Sequence, residues 1–459
     1  MIENADVVGW IQESLNGEIT RKFDSMATFE NAISEQCKEV QRLALEKTVQ
    51  AAVDLLAFEC PQCAQRLMIK KRREGRSVIS SFGEIRFVRD YGYCPQCKDH
   101  FAPADYKLGL HERGTVSPRI QEICALAALR APATEAAEDI LCMTGIPVSP
   151  STIHREARRQ GERALCIRDC DEWMTQSNEG TARLSAEVPT PPEDSTMIIE
   201  IDAWNIRERD NWGLSEEFRK ANKDTGRWHW VYTGTVFLLD QRGTTASGRP
   251  VISERGYVAP RRGLESFRNQ LYAEALRRGL SKVKTVLILA DGAVWIWNLA
   301  QDRFKDATQR LDLYHAQQHL WNLAAELHGK GTPEATAWVT PYIATLKNKK
   351  DGAAQLIADL NDLSTRLEEV TAKQIEALQK ETAYLEKNKN RMDYKTGADL
   401  GQPVGSGAIE STCSQYQRRF KMTGQFWSLE GDEAFLALST LQRNGRWCKL
   451  FPGSHASRN

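Results

Sequence analysis

Residues 286–290 form an almost purely apolar run that stops abruptly at Asp291-Gly292, the pattern of a buried strand ending on a carboxylate. Upstream, residues 196–204 carry a second short apolar strand, in which period-two alternation sets Glu200 and Asp202 on the face opposite Ile199 and Ile201. Two further strand candidates, 227–240 and 250–259, are joined by a turn-rich stretch at 241–249. Leu264, Phe267, Leu271, Ala275 and Leu276 then recur at helical spacing over 263–278. Strand, strand, strand, helix, strand is the order of a mixed sheet, because a single helix leading back to a parallel strand is the crossover such a sheet needs.

A short fifth strand ending near Asp312 and a helix over 315–327 come next. His315 and His319 stand at i and i+4, compatible with a shared metal, but no third ligand accompanies them and capping or core histidines are the plainer reading. Residues 332–389 are helical throughout, with Leu356, Leu360, Leu363 and Leu367 on one face; they read as an all-helical insertion, although a coiled coil would show the same spacing. Gly405-Ser406-Gly407 marks a turn and a helix start, so Glu410 falls in the first or second helical turn. Ser414, Gln417 or Arg418, and Lys421 share its face at steps of three and four, so cationic side chains flank the acid. Phe426-Trp427 and Arg446-Trp447 anchor the terminal helix as core.

The amino-terminal third has a different grammar. An apolar stripe of Phe29, Ile33, Cys37, Val40, Leu43, Val49, Val53 and Leu56 predicts one long helix over 27–58 for packing or dimerisation. Cys60-Pro-Gln-Cys63 and Cys94-Pro-Gln-Cys97 are identical knuckles separated by strand-like residues, the signature of a four-thiolate zinc ribbon with one structural Zn2+. Between them Lys70, Lys71, Arg72 and Arg73, with Arg76, form a compact basic cluster able to grip phosphates; a solvated hairpin tip is the plainer alternative. Residues 117–165 predict three helices broken at 145–149, with the outline of a helix-turn-helix in which Ser149 or Ser151 caps the third. That helix presents Thr152, His154, Arg155, Arg158 and Arg159, groups suited to a DNA major groove, while a three-helix scaffold would look alike. The Pro-rich acidic stretch 187–194 cannot continue a helix and predicts a domain boundary.

Composition narrows the classes. The chain has 459 residues, enough for two or three domains, and its 61 basic and 61 acidic side chains cancel. A nucleic-acid surface must therefore come from local clusters. The start has no signal-like basic and apolar regions and no apolar run reaches the length of a membrane span, so a soluble cytoplasmic protein is expected. Eleven Cys, odd in number and mostly scattered, suit reduced thiols plus a metal site better than a disulfide framework.

Asp202, Asp291 and Glu410 can meet only if their strands are neighbours and the last helix packs across them, the arrangement of RNase H-like nucleotidyl transferases. Ile201-Asp202, Leu289-Ala290-Asp291-Gly292-Ala293-Val294-Trp295-Ile296-Trp297, Leu311-Asp312-Leu313-Tyr314-His315 and Gly405-Ser406-Gly407-Ala408-Ile409-Glu410 together resemble the DDE transposases of bacterial insertion sequences, the ISKra-type group, which is similar to the Mutator-like enzymes. The first Asp is followed here by Ala203-Trp204 where many relatives have Gly. The resemblance implies an α/β fold with an RNase H-like mixed-sheet catalytic domain, catalytic acids Asp202, Asp291 and Glu410, and an accessory pair Asp312 and His315. Clustered carboxylates repel one another unless a cation joins them, and hard oxygen donors imply two Mg2+ or Mn2+ ions. The expected partners are double-stranded DNA, as element ends and target, and further copies of the chain in a homo-oligomer. A nuclease or resolvase would share the metal site without strand transfer, and a catalytically decayed DNA-binding protein would keep only the zinc ribbon and helix-turn-helix. The expected layout is a helical region at 1–58, zinc ribbon 59–114, helix-turn-helix 115–186, linker 187–195, first catalytic part 196–312, helical insertion 313–400, and catalytic helix with terminal helices 401–459.

Overall fold

The computed structural model describes residues 9, 13, 25–187, 190–192, 194–209, 221, 226–366 and 371–454. Leu367 and most of residues 1–24 lie outside that set, as does part of the 187–194 stretch. The chain divides into two compact units, Met1–Arg159 and Gln160–Asn459.

In the first unit, α1 (Met26–Asp54) lies along a three-stranded antiparallel sheet of β1 (Met68–Ser80), β2 (Gly83–Cys94) and β3 (Asp99–Phe101). Leu45, Val49 and Val53 of the helix pack on Val78, Ile85 and Phe87. Gln50 both accepts from the Val88 amide at 2.8 Å and donates to its carbonyl at 3.2 Å, and Glu46 accepts from the Arg86 amide. The helix thus covers backbone groups that an open sheet edge would offer to another chain. The short α2 (Pro103–Lys107) supplies Asp105, whose buried carboxylate takes the Arg89 guanidinium at 2.8 Å. Arg76 is spent on the carbonyls of His111, Glu112 and Gly114, which removes it from the basic cluster expected from the sequence. Helices α3 (Pro118–Ala128), α4 (Ala133–Thr144) and α5 (Pro150–Met174) follow. Gly145, at φ 66°, closes α4 in the left-handed conformation that a side chain resists, and Ser149 accepts from the Thr152 amide at 3.2 Å to cap α5.

The second unit takes in the later part of α5, so the division falls at 159/160 and not in the 187–195 stretch. The reason is packing: Met174 of α5 and Leu184 of α6 (Asn178–Ala186) are buried with Ala273 and Leu276 of a helix on the sheet. The sheet is built from β4 (Thr196–Arg209), β5 (Gly226–Leu238), β8 (Gly256–Val258), β9 (Thr285–Ala290) and β10 (Thr308–Leu311). Its order is β10-β9-β4-β5-β8, with β5 antiparallel and the other four mutually parallel. The segment 250–259, expected as one strand, is split: β6 (Arg242–Thr244) and β7 (Pro250–Ile252) pair separately, and a bend pinned by Ser253 donating to the Gln241 carbonyl releases β8 to the main sheet.

Alternation along β4 sorts its two faces as the sequence predicts. Met197, Ile199 and Ile201 are buried with Phe267, Leu271 and Ala275 of α7 (Leu264–Arg277) and with Ile296 and Trp297 of α8 (Val294–Arg303), a helix not anticipated from the sequence. On the other face Ile198 meets Phe237, Leu287 and Ala408. A separate apolar core joins α9 (Leu313–His328), α10 (Pro333–Asn348), α11 (Gly352–Arg366), α12 (Ala372–Asn388) and α13 (Tyr394–Asp399), and Leu356 and Leu360 lie at its centre. These five helices therefore form a packed body with its own interior. Helices α14 (Gly407–Phe420) and α15 (Leu429–Arg443) complete the unit, with Trp427 and Trp447 buried as expected. Among the described residues no helix is long and apolar enough to cross a membrane.

Glu274 of α7 is fully buried and bonds Arg446 at 2.5 Å and Arg278 at 3.0 Å. Burial would raise its carboxyl, but Arg446 and Arg278 pull it from its ordinary 4.5 down to about 2. A depressed acid stabilises the native state above its unfolded value, so this contribution is lost as pH falls from about 4.5 towards 2. Glu274→Gln, which removes a fully buried carboxylate from two partly buried guanidinium groups, is expected to cost about 3–5 kcal/mol in urea unfolding at pH 7 and to flatten that acid limb.

Candidate functional site

The register of the sheet brings two of the predicted acids side by side. Ile201 of β4 pairs in parallel with Ala290 of β9, so Asp202 and Asp291 occupy the next position on neighbouring strands. Asp202 accepts from its neighbouring amide, Ala203, at 2.7 Å, and Asp291 from Ala293 at 3.0 Å as β9 turns into α8. Gly292 makes that turn at φ 94°, and a Cβ there would collide with the Tyr384 hydroxyl, which donates to the Asp291 carbonyl at 2.9 Å.

The third acid arrives on α14. Glu410 sits exposed in its first turn and accepts from Ser406 at 3.3 Å. One turn later on the same helix, Cys413 donates its thiol to the second Asp202 oxygen at 3.7 Å. Two buried carboxylates fix where this helix begins. Glu200 accepts the Ile409 amide at 2.8 Å, and Asp312 accepts the Ser406 amide through one oxygen and the His315 amide at 2.9 Å through the other. Asp312 therefore caps α9 and tethers α14 together. Asp312→Ala would leave two buried amides without an acceptor, and a loss of roughly 2–4 kcal/mol in urea unfolding is expected, with Asp312→Asn closer to wild type.

The electrostatics follow from this crowding. Burial, and then the charge of Asp291, raise the Asp202 carboxyl above its usual range. Glu200 is pushed up to about 8 by burial, with Asp312 adding to it. Asp312 goes the other way, to about 2, because the bonds from His315 and Ser406 outweigh its burial. The His315 ring stands 3.4 Å from Asp312 and is raised by that bond and by the charges of Asp312, Asp291 and Asp202. His319, by contrast, stacks on Tyr384 with centroids 3.5 Å apart and bonds Glu381, so the two histidines are engaged separately.

A donor set of carboxylate oxygens, two of them adjacent and one raised by the other's charge, suits a hard divalent cation. Asp202, Asp291 and Glu410 do not, however, bring three ligand atoms within 4.8 Å of one another. Among the described residues only Cys60, Cys63, Cys94 and Cys97 do. Those thiols could hold a zinc ion. Sγ of Cys60 is 3.8 Å from that of Cys97, and Sγ of Cys63 is 3.5 Å from that of Cys94. The edge of a tetrahedron with sulfur at about 2.3 Å from its centre is about 3.8 Å. The two knuckles share a turn, with Ala64 and Lys98, the residues after Cys63 and Cys97, both at positive φ. The amides of Cys63 and Gln62 hold Cys60 down at about 7 against its burial, whereas the neighbouring Cys63 and burial push Cys97 up to about 12. Four thiols so close cannot all ionise without a cation among them.

The expected DNA contacts divide between the units. Lys70, Lys71, Arg72 and Arg73 are exposed, not at the hairpin tip but where β1 slips twice in register against β2; Arg73 is at φ 47° and its amide donates to Asp90. Lys71 pairs with Glu74 at 2.6 Å. Thr152, His154, Arg155, Arg158 and Arg159 lie in the first turns of α5, where Arg155 donates to Thr152 at 3.3 Å and Arg159 is committed to the buried Glu156 at 2.7 Å. Burial and Arg158 lower the His154 imidazole. Arg418 and Lys421 are exposed on α14 beyond Glu410. The parts of the site that the sequence did not announce are Cys413, Tyr384 and the tethering role of Glu200, whose signal was its place on the Asp202 face.

A family model described as an uncharacterised protein family, UPF0236, matches residues 255–450, a span holding Asp291, Asp312, His315 and Glu410 but neither Asp202 nor the four cysteines. The chain is 23% identical over 405 residues to the UPF0236 protein in the vanSb 3' region of Streptococcus gallolyticus, an alignment that takes in 84% of this chain and 77% of that protein. Among solved structures it is similar to the Drosophila P element transposase strand transfer complex, at 12% identity over 77% of this chain and 86% of that chain, with a TM-score of 0.25.

Proposed function

We propose that this chain is a DDE-type DNA transposase with an RNase H-like catalytic domain, in which Asp202, Asp291 and Glu410 serve cleavage of element ends and transfer of the freed strand into target DNA. The observation that carries the reading is the juxtaposition of Asp202 and Asp291 on adjacent parallel strands, with the helix of Glu410 docked on the same face through Cys413 and Glu200. The sheet order, with its single antiparallel strand second from one edge, is that expected of an RNase H-like domain.

Two Mg2+ or Mn2+ ions held by these acids would supply an activated nucleophile and neutralise charge on the phosphate. The chain's own part is positioning. Glu200 and Asp312 set the start of α14, and with it Glu410; Arg418 and Lys421, further along that helix, offer cations to the DNA backbone. Water attacks a phosphodiester at the element end and leaves a 3'-hydroxyl; that hydroxyl attacks a target phosphodiester, whose own 3'-oxygen departs. The residues around Thr152, His154, Arg155, Arg158 and Arg159 are assigned to reading the ends, and Lys70, Lys71, Arg72 and Arg73 to holding phosphates. The zinc cluster belongs to the same DNA-binding half, and a homo-oligomer would pair two ends.

The test is a joining assay. The full chain, magnesium, a supercoiled plasmid and duplexes drawn from the borders of its own DNA segment should give plasmid products with covalently joined ends. Cleavage without joined product would leave a nuclease or resolvase; binding without either would leave a DNA-binding protein.

A further inference from the structure

Trp228 and Trp230 of β5 are 59% and 54% exposed, an unusual cost for two large rings in succession. Alternation puts them on one face with Tyr232, which stands edge-on to Trp295 at 5.0 Å, and Trp295 lies four residues beyond Asp291. An aromatic line thus runs from the end of the sheet along the face that carries Ile199 and Ile201, opposite Asp202. Its flank on β4 is set by the register: Arg207 opposite Trp228, Asn205 opposite Trp230 and Ala203 opposite Tyr232.

The line is edged with cations. The Arg207 guanidinium lies 5.9 Å from the Trp228 ring and 4.4 Å from that of Phe426, Arg209 lies 4.2 Å from Phe426, and the Lys421 ammonium lies 5.8 Å from Trp228. Among the described residues of this face, neither strand contributes an acid, since Glu208 points to the other side and is buried against Arg261. Alternate residues on a strand are about 6.6 Å apart, which is about twice the ~3.4 Å thickness of a base and leaves room for one base between neighbouring rings. Flat apolar faces bordered by positive charge match unpaired nucleotides, whose bases stack while their phosphates pair with the cations.

We propose that this face of β4 and β5 is a binding platform for unpaired DNA, with Trp228 and Trp230 stacking on successive bases and Arg207 and Lys421 taking the phosphates. The stacking does not depend on the transposase reading.

The experiment compares the full chain with its Trp228→Ala/Trp230→Ala variant, without added magnesium, on a fluorescein-labelled duplex carrying a five-nucleotide single-stranded tail and on the same duplex blunt. The expected result is preference of the wild type for the tailed duplex, an affinity loss of about tenfold per ring for that probe alone, and recovery in Trp228→Phe/Trp230→Phe. A 2-aminopurine in the tail should be quenched by the wild type and not by the double alanine variant. Equal losses on both duplexes would overturn the proposal. So would an unchanged tail preference with a drop in oligomeric state by sedimentation, which would make the face a contact between copies. Tail preference abolished by the alanine variant, in a protein that cleaves and joins no DNA, would sustain the platform and remove the transposase reading.

Discussion

Asp291→Asn is expected to abolish strand cleavage and joining, by about three orders of magnitude or more, while leaving DNA binding in metal-free buffer within about twofold of wild type. The substitution is nearly isosteric. The side-chain oxygen that accepts the Ala293 amide is retained, and so the turn into α8 should hold. What is lost is one negative charge beside Asp202, whose own carboxyl is raised by burial and by Asp291. In Asp291→Asn the Asp202 carboxyl should therefore ionise more readily, yet the pair can no longer hold a doubly charged cation as firmly. Metal titration followed by calorimetry should show weakened binding, and urea unfolding should move by less than about 1 kcal/mol. Loss of sequence-specific binding as severe as that of an Arg155→Ala variant would show that recognition and chemistry are not separate, and the assignment of the acid would fall.

The second large effect concerns the four cysteines. Structural zinc sites contribute folding energy of about 10–16 kcal/mol, more than a small sheet such as β1, β2 and β3 is able to supply from its own core. Purified chain should carry one zinc by elemental analysis. Its removal by a strong chelator, or Cys94→Ser, should unfold the first unit and leave the thermal transition of the second in place. The two knuckles repeat the same backbone turn, so Cys60→Ser should be as damaging as Cys94→Ser. Absence of zinc from protein purified without chelator, together with an unchanged melting profile after chelation, would remove the site.

How much of this was readable in advance depends on the reach of the pattern concerned. The strands of Asp202 and Asp291, the helix of Glu410 and the paired Cys-Pro-Gln-Cys knuckles are local signals, in which a few neighbouring residues fix the geometry, and they appear where the sequence puts them. Alternation was enough to say that Glu200 shares a face with Asp202, but its bond to the amide of Ile409 joins positions 209 apart, and no periodicity reports that. The same holds for Cys413, which looks like any apolar core residue until Asp202 is found beside it. The segment 250–259 differs for another reason: its apolar ends flank Ser253-Glu254-Arg255-Gly256, and the bend there has its cause, the Gln241 carbonyl, outside the segment, just before β6. Arg76 groups with its basic neighbours in the sequence because charge runs show which residues are cationic, not which of them find carbonyls to hold.

The double bond made by Asp312 has a further consequence for the history of such a chain. Leu313 donates to the Val404 carbonyl at 3.0 Å, and Asp312 receives both the His315 and the Ser406 amides, so the helical body leaves and rejoins the sheet through one doorway. Because the ends are clasped, the entropy of closing the intervening segment grows only with the logarithm of its length. The doorway thus makes the outer part of the module interchangeable: lengthening or shortening its helices should leave Asp202, Asp291 and Glu410 undisturbed so long as the clasp and Tyr384, which holds the Asp291 carbonyl, are kept. Diversification among chains built this way should concentrate inside the module, while the residues of the clasp stay as they are.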